Sequence, residues 1–169
     1  MKKTIALLLT FVSLASAQAQ GTLQFTVSLN GGNEVPPNSS PYTASGTLTL
    51  SGNTLNYSMG RNAWDFLPTS AGIYGPATES QNASIIFDLG SYILSPNPPT
   101  MSYIGAVTVT SQQINDLEGG LWYVNFNSSS FPNGEIRGQI IPVPEPSALA
   151  LLAVGGTLAA LLRRRKLRQ

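Results

Sequence analysis

Apolar and polar side chains alternate along short stretches of the chain between residues 22 and 141. In the first stretch Leu23, Phe25, Val27 and Leu29 alternate with polar residues, as in a β-strand with one buried face. Further strand patterns cover 43–59, 73–74, 84–89, 102–109, 121–127 and 135–141, the first of them as a hairpin that turns at 51–53. About seven or eight short strands with almost no helix predict an antiparallel β-sandwich or barrel.

Glycine, proline, serine and asparagine separate the strand patterns. They predict loops at 30–42, 90–101 and 128–134, and the stretch 61–70 is irregular. Residues 110–118 predict a short helix, which Thr110 or Ser111 caps and Gly119 and Gly120 end. Its inward-facing residues are Ile114 and Leu117.

The amino-terminal residues have the pattern of a secretory signal peptide. Lys2 and Lys3 precede an apolar run at 5–14, and small residues follow in an A-x-A arrangement. The run is too short to span a bilayer. We therefore expect a signal peptide over 1–19, cleaved after Ala17 or after Ala19, and a single cargo domain over 20–141. A buried amino-terminal helix is the alternative.

The carboxy-terminal tail, 142–169, predicts a membrane-directed segment. Residues 147–162 carry no charge and predict an apolar helix, which at about 1.5 Å per residue is roughly 24 Å long. That length is short of the roughly 30 Å hydrocarbon core, so the helix is a marginal anchor. A basic cluster at 163–168 follows, and its membrane stop consists of Arg163, Arg164, Arg165 and Lys166. The positive-inside rule places this end in the cytoplasm and the cargo outside.

Most of the positive charge lies in the two ends. Between them the only basic residues are Arg61 and Arg137, against eight acidic ones, so the cargo through Glu145 has a net charge of −6. Such a domain is not expected to bind nucleic acid, which needs cationic side chains. The chain also has no cysteine and no histidine. We therefore expect no disulfide, no cofactor and no enzymatic activity, because histidine is the commonest general base and metal ligand.

The tail resembles the PEP-CTERM protein-sorting signal of Gram-negative bacteria. The resemblance rests on Val143, Pro144, Glu145 and Pro146, followed by the apolar helix and the arginines. It implies recognition by an exosortase-type membrane transpeptidase, processing near this motif, and delivery to the cell surface or to extracellular polysaccharide. Two readings stay open: the tail is removed, or it is retained as an anchor. For the tetrapeptide alone, the alternative is a rigid linker.

The cargo resembles the CHRD domain, the module first named from chordin. The resemblance covers about 22–141 and rests on segments at 29–37 (LNGGNEVPP), 72–77 (GIYGPA), 122–126 (WYVNF) and 134–140 (GEIRGQI). It implies an immunoglobulin-like β-sandwich, remotely similar to copper/zinc superoxide dismutase, with no established activity. Family members commonly carry histidines where this chain has 73–74 and 126–127, which argues against a metal role. The motif residues expected to be structural are Glu34, Pro36, Pro37, Gly75, Pro76, Gly134, Glu135, Arg137 and Gly138.

The individual charged residues are expected to have structural roles. We expect Glu135 and Arg137 to make charge-assisted pairs with a neighbouring strand, with ligand binding by Arg137 as the alternative. Glu34 is expected to accept backbone N–H groups in its loop. Asp116 and Glu118 diverge on a helix and do not form a glycosidase acid pair.

The aromatic residues and the oxygen-bearing side chains have two interpretations each. Trp64, Phe66, Tyr74 and Trp122 are expected in the core, with a sugar-stacking platform as the alternative. Scattered acids, asparagines and carbonyls are candidate Ca²⁺ ligands, but no EF-hand spacing is present.

The sequence thus predicts an exported, surface-sorted, non-catalytic β-sandwich module that serves as a structural or adhesive component of the cell surface or extracellular polysaccharide matrix. Its expected partners are the secretion translocon, the exosortase, extracellular polysaccharide and, before processing, the membrane. A Ca²⁺- or polysaccharide-binding module is the alternative, and a dismutase-like or hydrolytic enzyme the third interpretation.

Overall fold

The computed structural model describes residues 21–62, 67–96 and 99–144. The predicted signal peptide at 1–19, the predicted helix at 147–162, the basic cluster at 163–168, and Trp64 and Phe66 lie outside the described residues. Within the described ranges, no helix is long and apolar enough to cross a membrane.

Among the described residues, nine strands form one antiparallel sheet. In chain order they are β1 (Leu23–Asn30), β2 (Thr43–Ser51), β3 (Thr54–Asn62), β4 (Ser70–Tyr74), β5 (Ile85–Asp88), β6 (Ile93–Pro96), β7 (Pro99–Thr108), β8 (Tyr123–Asn127) and β9 (Ile136–Pro142). A helix, α1 (Ser111–Glu118), lies between β7 and β8, and a 3₁₀ turn (Gly31–Asn33) follows β1. The order across the sheet is β5-β4-β8-β9-β1-β2-β3-β7-β6. The all-β antiparallel architecture predicted from the alternation is therefore confirmed.

The sheet curls so that its two halves enclose the core. The rings of Tyr103 on β7 and Phe126 on β8 lie 5.0 Å apart, although four strands separate β7 from β8 in the sheet. The apolar positions of β1, Phe25, Val27 and Leu29, are buried inside this curl. Because successive side chains of a strand point to opposite faces, the polar positions of the same strand lie outside.

The predicted hairpin and helix are both confirmed. β2 and β3 pair from Ser45 with Gly60 to Ser51 with Thr54. Helix α1 begins with a capping box in which Thr110 accepts from the Gln113 backbone, and the Gln113 side chain accepts from the Thr110 backbone. Leu117 is fully buried.

The predicted loop at 90–101 is wrong. These residues include β6 and the start of β7, which form a hairpin whose last pair is Pro96 with Pro99. Proline lacks an N–H donor, but β6 is one of the two edge strands of the described sheet, where one side of the strand needs no donor. Prolines at a strand terminus therefore mark the hairpin's end and not a loop. This hairpin raises the strand number above the predicted seven or eight.

Candidate functional site

A polar layer covers the outer face of β8 and β9. Val124 and Phe126 point into the core, so the alternating positions Tyr123 and Asn125 point outward. In the register of the two strands, Asn125 pairs with Arg137. The loop after β1 and the loop after β4 fold over this face, which is why its polar residues are buried.

Arg137 joins the loop after β4 to the sheet. Its side chain is 1% exposed, and its guanidinium lies 3.5 Å from the centroid of the Tyr123 ring. Nη1 donates to Asn82 Oδ1 at 3.0 Å, and Nη2 donates to the carbonyls of Thr78 and Gln81 at 3.1 and 2.8 Å. The named acceptors are all neutral groups of one loop. The expected charge-assisted pair with a neighbouring strand is therefore wrong, because loop carbonyls take these donors.

Two further contacts tie the same loops together. The Asn82 side-chain nitrogen donates to the Val35 carbonyl at 2.7 Å, so Asn82 links the loop after β4 to the loop after β1. The Tyr123 hydroxyl accepts from the Ala83 backbone at 3.0 Å, and the Tyr123 ring stacks on Tyr74 at a centroid distance of 5.3 Å. Tyr74, Tyr123 and Arg137 thus form a stacked column on the outer face.

Glu34 is a buried carboxyl with few partners. It is 5% exposed, and its Oε2 accepts from Asn125 Nδ2 at 3.3 Å, whereas Oε1 is buried without a hydrogen-bond partner in the described part of the chain. The partner is thus a side chain of β8, not the backbone N–H groups expected from the sequence. Burial raises the pKa of Glu34 to about 7, although the charge of Arg137 and the Asn125 bond oppose this rise.

Glu135 is fully enclosed and well supplied with donors. It is 1% exposed, and its carboxylate accepts short hydrogen bonds from the hydroxyls of Ser40 and Ser128. Asn38 donates to the carbonyls of Gly134 and Glu135 at 2.9 and 3.1 Å. Glu135 therefore fastens the end of the loop after β1 to the loop before β9.

The glycines of the closing motif allow close backbone approach. A Cβ on Gly134, which has φ +143°, would lie 2.5 Å from Glu34 Oε2. A Cβ on Gly138 would overlap the Ser28 carbonyl of the neighbouring β1. Each larger side chain would push apart elements that the polar layer holds together.

The other motif residues line the loops. The peptide bonds before Pro36 and Pro76 are cis, and Gly75 has φ +156°. Pro37 lies on the wall of a cleft with a volume of about 410 Å³ between the two loops. The other residues that line this cleft are Gly32, Asn33, Glu34, Val35, Glu79, Ser80, Arg137 and Gln139.

Of the remaining candidates, only Tyr74 joins this layer. Trp122 is fully buried in the core, as expected, and Tyr74 lies half-buried on the outer face. Asp116 accepts from Gln112 on the surface of α1, and Glu118 is exposed there. No group of three or more acidic, histidine or cysteine side chains suited to a metal ion occurs among the described residues.

Sequence reasoning missed Asn82, Tyr123 and Asn125. For Tyr123 and Asn125 a signal was present, because they alternate with the apolar Trp122, Val124 and Phe126. Asn82 lies in a polar loop, and nothing in its local sequence distinguishes it.

The sheet continues into the predicted sorting motif. The Val143 N–H donates to the Gln24 carbonyl of β1 at 2.8 Å, one residue beyond the end of β9. Val143 is 39% exposed and Pro144 is exposed. Glu145 and Pro146, and the stop residues Arg163, Arg164, Arg165 and Lys166, lie outside the described residues.

Comparison with known protein families gives two adjoining matches. The CHRD domain model matches residues 25–140, and the PEP-CTERM protein-sorting motif matches residues 142–166. No curated protein and no solved structure matches the chain. The CHRD match covers more than half of the chain and includes the whole polar layer. The chain belongs to the CHRD domain family and carries a PEP-CTERM sorting motif directly after the domain.

Proposed function

We propose that this protein is a non-catalytic structural or adhesive module of the cell surface or of its extracellular polysaccharide matrix. The observation that carries the proposal is the adjacency of the two family matches, since only residue 141 separates the CHRD domain from the sorting motif. A PEP-CTERM motif indicates an exported protein that an exosortase processes and sorts to the surface. The domain is then what the sorting step delivers.

The absence of catalysis is part of the same proposal. Its support is chemical: the sequence has no histidine and no cysteine, and the buried side chains Glu135 and Arg137 hold loops together. Residues that fasten a fold are poorly placed to exchange protons with a substrate, because they are shielded and already hydrogen-bonded.

The finer structural expectations also belong here. An immunoglobulin-like sandwich related to copper/zinc superoxide dismutase is consistent with the curled sheet, whose halves touch through Tyr103 and Phe126. A signal peptide over 1–19 engages the translocon, and the helix over 147–162 holds the precursor transiently in the membrane. The basic pattern at both ends of the sequence supports these two expectations.

Fractionation of producing cells tests delivery. Wild type is expected in the surface and polysaccharide fractions, whereas Glu145→Ala, which alters the sorting motif, is expected to accumulate in the inner-membrane fraction. Glu118→Ala changes an exposed acid of α1 and is the matched control. Equal distribution of wild type and Glu145→Ala would reject motif-dependent sorting.

Complementation separates a structural role from catalysis. Cells lacking the protein are expected to form a weaker matrix, and purified protein should restore it in proportion to the amount added. Full restoration by a trace amount would contradict the proposal, because only a catalyst acts repeatedly.

A further inference from the structure

The cleft above β9 has the dimensions of a small-molecule site. Its volume of about 410 Å³ lies within the range typical of ligand pockets, about 300–1,000 Å³. Arg137 and Gln139 of β9 border it, and Val35 and Pro37 contribute apolar wall. The two loops that form its sides are fixed by hydrogen bonds to the sheet and to each other, so the cleft is preformed.

Two buried oxygens at this cleft need hydrogen-bond donors. Gln139 Nε2 donates to the carbonyls of Ala77 and Gly120 at 2.8 and 2.7 Å. These two carbonyls fix the orientation of the amide, so Gln139 Oε1 is an acceptor, and it is buried without a partner among the described residues. Glu34 Oε1 is likewise buried without a hydrogen-bond partner among the described residues. A buried acceptor without a donor costs free energy, which a ligand hydroxyl recovers once a small side-chain shift turns the oxygen toward the cleft.

Arg137 provides donors beside these acceptors. A guanidinium has five N–H groups, and three bonds to loop acceptors are present in the described part of the chain. Its guanidinium borders the cleft together with Glu34 and Gln139, so a cationic donor group lies beside the two unpartnered acceptors.

The charges around the cleft select the class of ligand. The lining carries both signs of charge, Arg137 against Glu34 and Glu79, so neither a metal ion nor an anion finds charges of the opposite sign alone. A hydroxyl group is neutral and both donates and accepts, so adjacent hydroxyls satisfy the Arg137 donors and the Glu34 and Gln139 acceptors together. The apolar Val35 and Pro37 suit the C–H face of a sugar ring.

We propose that the cleft bordered by Glu34, Arg137 and Gln139 binds a neutral sugar unit of a polysaccharide. This inference rests on the proposed function, since delivery to the surface brings the domain to extracellular polysaccharide. It adds a site and a ligand class: the module holds the matrix through hydroxyl groups recognised between two loops, and not through its aromatic core.

Saturation-transfer NMR on the full chain tests the inference directly. The protein is purified in a detergent without a sugar headgroup and mixed with methyl glycosides of glucose, galactose, mannose and N-acetylglucosamine, and with the matrix polysaccharide. We expect saturation transfer to at least one neutral glycoside and to the polysaccharide. Absence of saturation transfer to every glycoside and to the polysaccharide would overturn the proposal.

A blocking variant locates the site. Ser80 is exposed at the rim of the cleft, so Ser80→Trp is expected to fill the entrance and abolish saturation transfer. Ser91→Trp places the same side chain at another exposed serine, away from the cleft, and is expected to bind as wild type. Equal transfer in the two variants would place binding elsewhere and overturn the proposal.

A second variant tests the chemistry of the acceptor. At about pH 8, where a carboxyl with a pKa of about 7 is ionised, Glu34→Gln keeps the shape of the side chain but removes its charge, and we expect about tenfold weaker binding. Unchanged affinity in a folded Glu34→Gln protein would contradict the assigned role of this carboxyl. Surface delivery without glycoside binding would reject the sugar site in the cleft but not the proposed function. Glycoside binding by a protein that stays in the inner membrane would reject the proposed function but not the sugar site.

Discussion

The buried Glu34 carboxyl makes the stability of the domain depend on pH in an unusual direction. Most acids in folded proteins are stabilised as carboxylates, and the fold weakens as the pH falls. Burial instead raises the pKa of Glu34 from 4.5 to about 7. The folded state therefore holds this proton more tightly than the unfolded state does. Stability from this group is present in its protonated form and is lost as the pH rises from about 4.5 to about 7.

The size of the effect follows from the same two pKa values. A shift from 4.5 to about 7 corresponds to about 3 kcal/mol when the group is fully ionised. Between about pH 5 and about pH 8 the linkage relation gives a loss of about 2 to 3 kcal/mol. Glu34→Gln introduces an amide whose oxygen accepts from Asn125 but which does not ionise, so the variant lacks this contribution.

Urea unfolding of wild type and Glu34→Gln across this interval measures the effect. The free energy of unfolding of the variant, minus that of wild type, is expected to increase by about 2 to 3 kcal/mol from about pH 5 to about pH 8. Taking this difference removes the titration of the other acids, which both proteins share. A difference that stays constant with pH would refute the argument, because it would show that Glu34 titrates equally in folded and unfolded chains.

Three further substitutions test contacts of the polar layer on β8 and β9 and the contact of the sorting motif with β1. Gly134→Ala places a Cβ 2.5 Å from the Glu34 carboxylate at φ +143° and is expected to lower the free energy of unfolding in urea by about 3 kcal/mol. The control Gly52→Ala, at φ +59° with open space around it, is expected to lower it by about 1 kcal/mol. Equal costs would contradict the close approach. Arg137→Lys loses the planar fork and the tyrosine stacking and is expected to lower stability by about 3 kcal/mol, so an unchanged urea midpoint would be inconsistent with the column. Val143→Pro removes the N–H that bonds to β1 and is expected to speed tail removal in a pulse-chase experiment. Val143→Ala keeps this N–H and is expected to lose the tail at the wild-type rate. Identical rates for the two variants would show that the sheet does not restrain the motif.

The sequence predicts those strands well that bury one face. Phe25, Val27 and Leu29 alternate because the interior of the curl excludes water from every second position, and that constraint is visible in the residues themselves. β6 escapes prediction for the opposite reason. Its Ile93 and Leu94 are both more than half exposed, so no burial pattern forms, and its one proline, Pro96, is typical of a loop.

The charged residues of the candidate site are predictable from the sequence, but their hydrogen-bond partners are not. Glu34 and Arg137 are identifiable from the sequence because few charged residues occur in the domain. The acceptors of Arg137 include the carbonyls of Thr78 and Gln81, and a backbone carbonyl has no signature in the sequence. The position of that loop over β9 depends on the whole fold, so an ion pair across strands is the natural expectation and is wrong.

Mass spectrometry of the carboxy terminus of the surface-associated protein tests the central claim most directly. The family matches place a sorting motif at 142–166, directly after a domain whose sheet ends at Val143. We predict a mature protein that ends near Pro144, Glu145 and Pro146 and lacks the basic cluster. A surface-associated protein that still ends at Gln169 would contradict sorting by removal of the tail.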